Sequence, residues 1–142
     1  MNVFRTFFLL FFLLGVFLSG PVHAEGGTQH AFDWSDAYLY NFYSVCPLQS
    51  GDVWIVGNSG LIAHYDPEQD TWFVQESGTS ENLYQVTFAN KSQGWIVSTD
   101  GRILRTEDGG KMWKEQETPV EQHLFSISCV DASTAWAVGC FG

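Results

Sequence analysis

Basic residues are scarce in this chain: six lysines and arginines stand against sixteen aspartates and glutamates, for a net charge of −10. Such a surface repels nucleic acid and anionic lipid headgroups, and favours basic partners. Cysteine is sparse too. Cys46, Cys129 and Cys140 make an odd count, so at least one thiol has no partner within the monomer. Cys129 lies within a candidate strand and Cys140 just beyond the next one, so the two are not expected to face each other across a hairpin. After residue 24 no stretch carries an apolar stripe of helical period, which points to an all-β chain.

One long apolar run is present, Phe7 to Leu18, interrupted only by Gly15. At 12 residues it is too short to span a bilayer comfortably. Arg5 precedes it, Gly20 and Pro21 break it, and Val22-His23-Ala24 places small side chains where signal peptidase reads. Residues 1–24 are therefore expected to be a signal peptide, cleaved on export, with an uncleaved anchor as the alternative. Its removal takes away one base and no acid, so the acidity deepens.

The remainder repeats itself. Trp54, Trp95 and Trp136 are 41 residues apart, and Val56, Val97 and Val138 keep step with them. So do Tyr43, Tyr84 and Phe125, and Val45, Val86 and Ile127. Gly60, Gly101 and Gly142 follow, and the pairs Trp72/Trp113 and Gln75/Gln116 have the same spacing. A period of roughly 40–45 residues suits a four-stranded propeller blade. Local pattern agrees. Leu83–Phe88 alternates, with Tyr84, Val86 and Phe88 expected on one face. Trp54-Ile55-Val56 and Trp95-Ile96-Val97 read as strands covered on both faces. Gly57-Asn58-Ser59-Gly60 and Ser98-Thr99-Asp100-Gly101 supply turns. The expected organisation is an N-terminal lead-in over 25–41 and a partial β-propeller over 42–142. Its four-stranded antiparallel blades lie near 42–79 and 80–120, with an incomplete third over 121–142. The lead-in is a candidate strand for closing the last blade of a ring, although Trp34 is out of phase with Trp72 and Trp113.

A closed propeller takes roughly four to eight blades. About two and a half are present, so the chain is expected to be a fragment of an incomplete ring. Several chains completing one ring is the alternative. Open edges and uncovered aromatic surface then imply poor solubility.

Thr106-Glu107-Asp108-Gly109-Gly110-Lys111-Met112-Trp113 has the Asp-box form S/T-x-D-x-G-x-x-W. Its residues carry structural roles. Asp108 can accept backbone N–H groups of its own turn, Gly109 and Gly110 tolerate positive φ, Thr106 bonds locally, and Trp113 buries a large ring in the blade. The first copy, Tyr65 to Trp72, keeps the tryptophan and loses the glycines. Its Asp66, Glu68 and Asp70 lack the glycine and distal glutamate of a calcium loop and read as a solvated acidic turn.

Enzymatic readings find little. A sialidase needs an arginine cluster and a tyrosine nucleophile with an acid partner. Past the signal peptide the arginines are Arg102 and Arg105, an odd number of residues apart in one strand and so on opposite faces. Sixteen acids make carboxylate pairs uninformative for glycosidase chemistry. His30, His64 and His123 lack metal spacing, and no Gly-rich loop opens a helix to cradle phosphate. Asn90-Lys91-Ser92 is a glycosylation sequon in a turn, relevant only to a eukaryotic source. No catalytic, metal or cofactor residues and no nucleic-acid partner are expected, and no small-molecule substrate is identified.

The combination Gly94-Trp95-Ile96-Val97, Gly101-Arg102-Ile103-Leu104-Arg105-Thr106-Glu107-Asp108-Gly109-Gly110, Trp113 and Gln116 resembles the photosystem II stability and assembly factor family. The resemblance runs over about residues 42–142. It implies a non-enzymatic, seven-bladed scaffold of the thylakoid lumen, with exported bacterial relatives. Such a scaffold would bind an exposed membrane-protein segment during complex assembly. Photosynthetic members carry a basic binding patch. Only Arg102 and Arg105 are candidates for client binding here, on an acidic background, and a periplasmic or extracellular relative with another client fits as well. An exported glycan-binding or glycoside-hydrolase-type Asp-box propeller is the alternative function.

Overall fold

The computed structural model describes residues 30–119 and 121–141. The expected signal peptide, the start of the lead-in and Gly142 of the repeat lie outside the described residues. Eleven strands are present among those described. A two-residue strand β1 (His30–Ala31) precedes a 3-10 helix (Trp34–Leu39). The first repeat supplies β2 (Phe42–Pro47), β3 (Val53–Gly57), β4 (Ile62–Asp66) and β5 (Thr71–Gln75). The second supplies β6 (Leu83–Phe88), β7 (Gly94–Ser98), β8 (Ile103–Thr106) and β9 (Lys114–Gln116), and the third β10 (Leu124–Cys129) and β11 (Ala135–Gly139). They form three separate antiparallel sheets, ordered β1-β5-β4-β3-β2, β6-β7-β8-β9 and β10-β11. This is the all-β architecture of partial propeller blades. The 3-10 helix is the element that hydrophobic periodicity did not announce. It starts because the Asp33 carboxylate accepts the Ser35 N–H at 2.8 Å.

The repeat is reproduced in backbone detail. Each first strand is bulged at the same place, between Phe42 and Ser44, Leu83 and Gln85, and Leu124 and Ser126. The bulged residues are Tyr43, Tyr84 and Phe125. A bulge puts one extra residue on its strand and so breaks the alternation of faces. For that reason Tyr84 departs from the expectation that it shares a face with Val86 and Phe88. Leu83 takes the buried place, and Tyr84 is only half-buried. Equivalent turns close with equivalent bonds: Leu48 N–H to Asp52 O at 2.8 Å, Ala89 to Gln93 at 3.0 Å, and Val130 to Thr134 at 2.8 Å.

Neighbouring sheets pack face to face, and Trp54 and Trp95 of the 41-residue set are each covered by the repeat that follows. Trp54 and Val56 join Leu83, Val86, Phe88 and Leu104 of the second sheet in one core. Trp95 and Val97 join Leu124 and Ile127 of the third sheet in another. Trp54 is 1% exposed and Trp95 6%, whereas Trp136, on the last described sheet, is 71% exposed. The middle strand β7 is buried at all five positions, as expected for a strand covered on both faces, whereas β3 keeps Ile55 half-exposed.

The lead-in lies against the first sheet. β1 pairs with β5, and the Phe32 N–H donates to Trp72 O at 2.9 Å. Trp34 meets Trp72 edge-on at 5.4 Å and lies 6.2 Å from Phe42. All three cysteines are free and half-buried. Cys129 pairs with Ala135 at one end of the third hairpin, while the Cys140 N–H bonds His123 O beyond the other end.

The same residue type at three equivalent positions allows a direct comparison. Trp54→Ala should destabilise the chain by about 3–5 kcal/mol in urea unfolding, because it empties a filled core site. Trp136→Ala should change stability by less than about 0.5 kcal/mol. Equal costs at the two positions would contradict the packing described.

Candidate functional site

The blades have two rims. One carries the Asp-box turn between β8 and β9 and the turns between each first and second strand. The other carries the starts of β2, β6 and β10 and the turns after β3, β7 and β11.

At the Asp-box rim, buried Thr106 organises the turn. Its hydroxyl donates to Asp108 Oδ1 at 2.9 Å and accepts the Gly110 N–H at 2.8 Å. Asp108 Oδ1 also accepts the Met112 N–H at 3.0 Å. The Gly109 N–H reaches across to Ser92 O at 2.9 Å. Gly110 has φ +82, and a Cβ there would lie 2.0 Å from the Trp54 ring of the first sheet. Its lack of a side chain is thus needed twice, for the turn and for the approach of the neighbouring blade. Trp113 turns inward, edge-on to Trp54 and Phe88, each at 5.8 Å. Its Nε1 is buried without a hydrogen-bond partner. Every Asp108 contact described is internal to the turn, so the carboxylate acts as a brace for the backbone.

Trp54 is held from its other face by His64, stacked at 4.1 Å and 11°. His64 Nε2 lies 2.8 Å from Asp52 Oδ1, and the Ser50 hydroxyl donates to Asp52 Oδ2 at 2.6 Å. An ionised carboxylate only accepts, so Nε2 carries the proton that it donates to Asp52. Lys91 Nζ from the second repeat stands 3.7 Å from Asp52. Burial pushes the Asp52 carboxyl up, but the Ser50 and His64 hydrogen bonds and the Lys91 charge outweigh it and hold it below its ordinary value. Although serine, aspartate and histidine meet here, the serine donates to the aspartate instead of facing the imidazole. No nucleophile is activated. The sequence reading treated His64 as scattered. The register that sets Trp54 opposite His64 follows from the Gly57–Gly60 turn, and that turn was the available signal.

The two arginines are not brought together. Arg102, just before β8, pairs with Glu115 at 3.1 Å. Arg105 lies 5.6 Å over the Trp95 ring, pairs with Glu107 at 3.0 Å and donates to Ala132 O at 3.4 Å. Asp66 turns inward on its own loop, accepting Glu68 N–H and Gln69 Nε2. Among the described residues no group of three histidines, cysteines or acids is placed to hold a metal.

At the opposite rim the backbone bond from Asn58 N–H to Asn41 O recurs from Thr99 to Asn82 and from Cys140 to His123, at 3.0, 3.2 and 3.0 Å. The bulged aromatics form a row there, with Tyr43 to Tyr84 at 5.5 Å and Tyr84 to Phe125 at 5.2 Å. The inner strands are tied by side chains: Val86 N–H to Ser44 Oγ at 3.4 Å, and Ile127 N–H to Gln85 Oε1 at 3.0 Å.

Repeated four-stranded meanders, packed face to face and braced by an Asp-box turn, define a β-propeller built from BNR-type repeats. The family model described as photosynthesis system II assembly factor YCF48 matches residues 66–140, more than half of the chain, and the chain belongs to that family. Solved structures share the fold. YCF48 from Cyanidioschyzon merolae superposes with a TM-score of 0.60 at 17% identity, over 72% of this chain and 36% of that one. A structure titled YCF48 bound to D1 peptide gives 0.62 at 19% identity, over 70% and 34%. The chain therefore spans about a third of the length of these solved relatives. No curated protein matches it.

Gly110→Ala should cost about 2–4 kcal/mol, because strain and overpacking add. Gly78→Ala, at φ +73 with open space around it, should cost only about 1–2 kcal/mol. Denaturant midpoints of the two variants check this. The Asp52 carboxyl is more acidic folded than unfolded, so its stabilisation is present above about pH 4 and fades as pH falls through the folded value. Asp52→Asn should cost about 1.5–3 kcal/mol at pH 7 and clearly less at pH 3, read by urea unfolding at both.

Proposed function

We propose that this protein is an exported, non-enzymatic propeller scaffold that binds an exposed segment of a protein client during assembly of a membrane complex. The observation that carries this reading is the match to the assembly-factor family over residues 66–140. A fold relative that is titled as bound to a D1 peptide supports a polypeptide ligand from a membrane protein. The N-terminal apolar run and Val22-His23-Ala24 support export to the periplasm or beyond, or to the thylakoid lumen in a photosynthetic source. The arrangement of charges favours binding over chemistry. Arg102 and Arg105 are separated and each committed to a glutamate, and the serine near His64 donates to Asp52. Of the two arginines, Arg102 is the one exposed enough to meet a client, since Arg105 is held over Trp95.

The test is fluorescence anisotropy of the purified chain against peptides from the exported loops and tails of membrane-protein subunits of its source, with a D1 peptide included. Saturable binding in the micromolar range is expected, typical of transient recognition at roughly −8 kcal/mol. Fluorogenic sialosides and other glycosides should remain unhydrolysed. Turnover of a glycoside, or no binding across the peptide set, would overturn the reading.

A further inference from the structure

The rim opposite the Asp-box carries a cleft of about 450 Å³ between the β7–β8 turn and the end of β9, lined by Asp100, Arg102, Glu115 and Glu117. Its one base is already paired, since Arg102 Nη1 lies 3.1 Å from Glu115. Asp100 and Glu117 are left as carboxylates without a lysine or arginine partner among the ion pairs of the described residues. Asp100 has its carboxylate 62% exposed on the left-handed turn after β7, with His123 3.7 Å away. Glu81, on the adjoining loop, adds a further carboxylate and takes the Thr99 hydroxyl.

Beside these acids stands the aromatic row. His123 links the two features: its Nδ1 accepts the Asp100 N–H at 3.2 Å, and its ring lies 6.2 Å from Phe125. Phe125, Tyr84 and Tyr43 then continue as rungs 5.2 and 5.5 Å apart across three repeats, with Tyr43 and Phe125 more than 40% exposed. Rungs so close form a continuous apolar strip in place of separate pockets. At the opposite rim Lys91 and Arg105 pair with Asp52 and Glu107, and the Asp66 carboxylate accepts from the backbone and a side chain of its own turn.

From this pairing of features the geometry points to a binding site for a cationic, extended polypeptide segment. Its lysine or arginine head enters the Asp100–Glu117 cleft, and its apolar or aromatic neighbours lie along Tyr43, Tyr84 and Phe125. The site rests on the client-binding reading and gives the client a chemistry. Carboxylates attract the cation at long range, and aromatic faces hold both a guanidinium and the apolar side chains beside it. An acidic segment would meet like charge at Asp100, Glu117 and Glu81.

The probe is a fluorescein-labelled peptide alternating lysine and tyrosine, with a glutamate–tyrosine peptide as its counterpart, titrated with the full chain. The lysine peptide should bind, more weakly as salt rises, and the glutamate peptide should not. Asp100→Asn combined with Glu117→Gln should weaken binding roughly five- to tenfold, and Tyr84→Ser roughly threefold or more. Asp66→Asn combined with Glu68→Gln, which removes the same charge at the other rim, should change it by less than about twofold. An equal loss in that control would show general charge attraction and overturn the site. If a neutral or acidic peptide binds and ignores the Asp100, Glu117 and Tyr84 substitutions, the site falls and client binding stands. If no peptide of any composition binds, both fall. Circular dichroism of each variant separates lost binding from lost fold.

Discussion

The indole of Trp54 is where the first two repeats become one body. His64 stacks on one of its faces at 4.1 Å and Phe88 on the other at 4.9 Å. Gly110 of the next blade comes down against its ring, and Trp113 closes in edge-on. Little of this is local. The histidine comes from the adjacent strand, the phenylalanine from the facing sheet, and the glycine from a turn 56 positions along the chain. Face-to-face burial of apolar surface between sheets holds the repeats together, since among the described residues no backbone ladder joins one sheet to the next.

That constraint explains the economy of the polar groups. The Asp-box spends its hydroxyl and carboxylate on a single turn, which keeps Gly110 in a conformation that a side chain would strain and at a distance that a side chain would forbid. Asp52 holds His64 parallel to the indole and receives Lys91 from the second repeat. Both devices serve contact between blades at the Asp-box rim, while at the opposite rim the Asp100–His123 bond and the aromatic row make that contact. There the bulges turn Tyr43, Tyr84 and Phe125 out of the alternating pattern and into a shared row beside Asp100, a carboxylate without a lysine or arginine partner among the described ion pairs.

Much of the architecture was legible because the repeat needs no gaps. Tryptophans at a fixed offset, period-two alternation and glycine-rich turns each report a local preference, and the blade honours them except where the first strand of each repeat is bulged. The Asp-box could be read as a locally bonded turn, since Thr106, Asp108, Gly110 and Met112 lie within a few residues of one another. Tyr84 was misjudged because a bulge inserts an extra residue without changing the amino-acid pattern. The Ser50–Asp52–His64 group went unseen because its members converge only through the register of β3 with β4. The 3-10 helix of the lead-in follows from one aspartate cap, too short a signal for hydrophobic periodicity to carry.

What this sequence determined by itself is the class of fold, the length and strand content of its repeat, and the internal bonding of its one well-formed Asp-box. All of these are set by interactions between near neighbours in the chain. Tertiary structure alone decided which repeated tryptophan is buried, which arginine is bound over an aromatic ring, and that three aromatics 41 residues apart share a rim with Asp100 and Glu81. The reason is physical: each depends on which face of one sheet meets the next, and that choice is made by packing between segments whose separation in sequence carries no energetic term of its own.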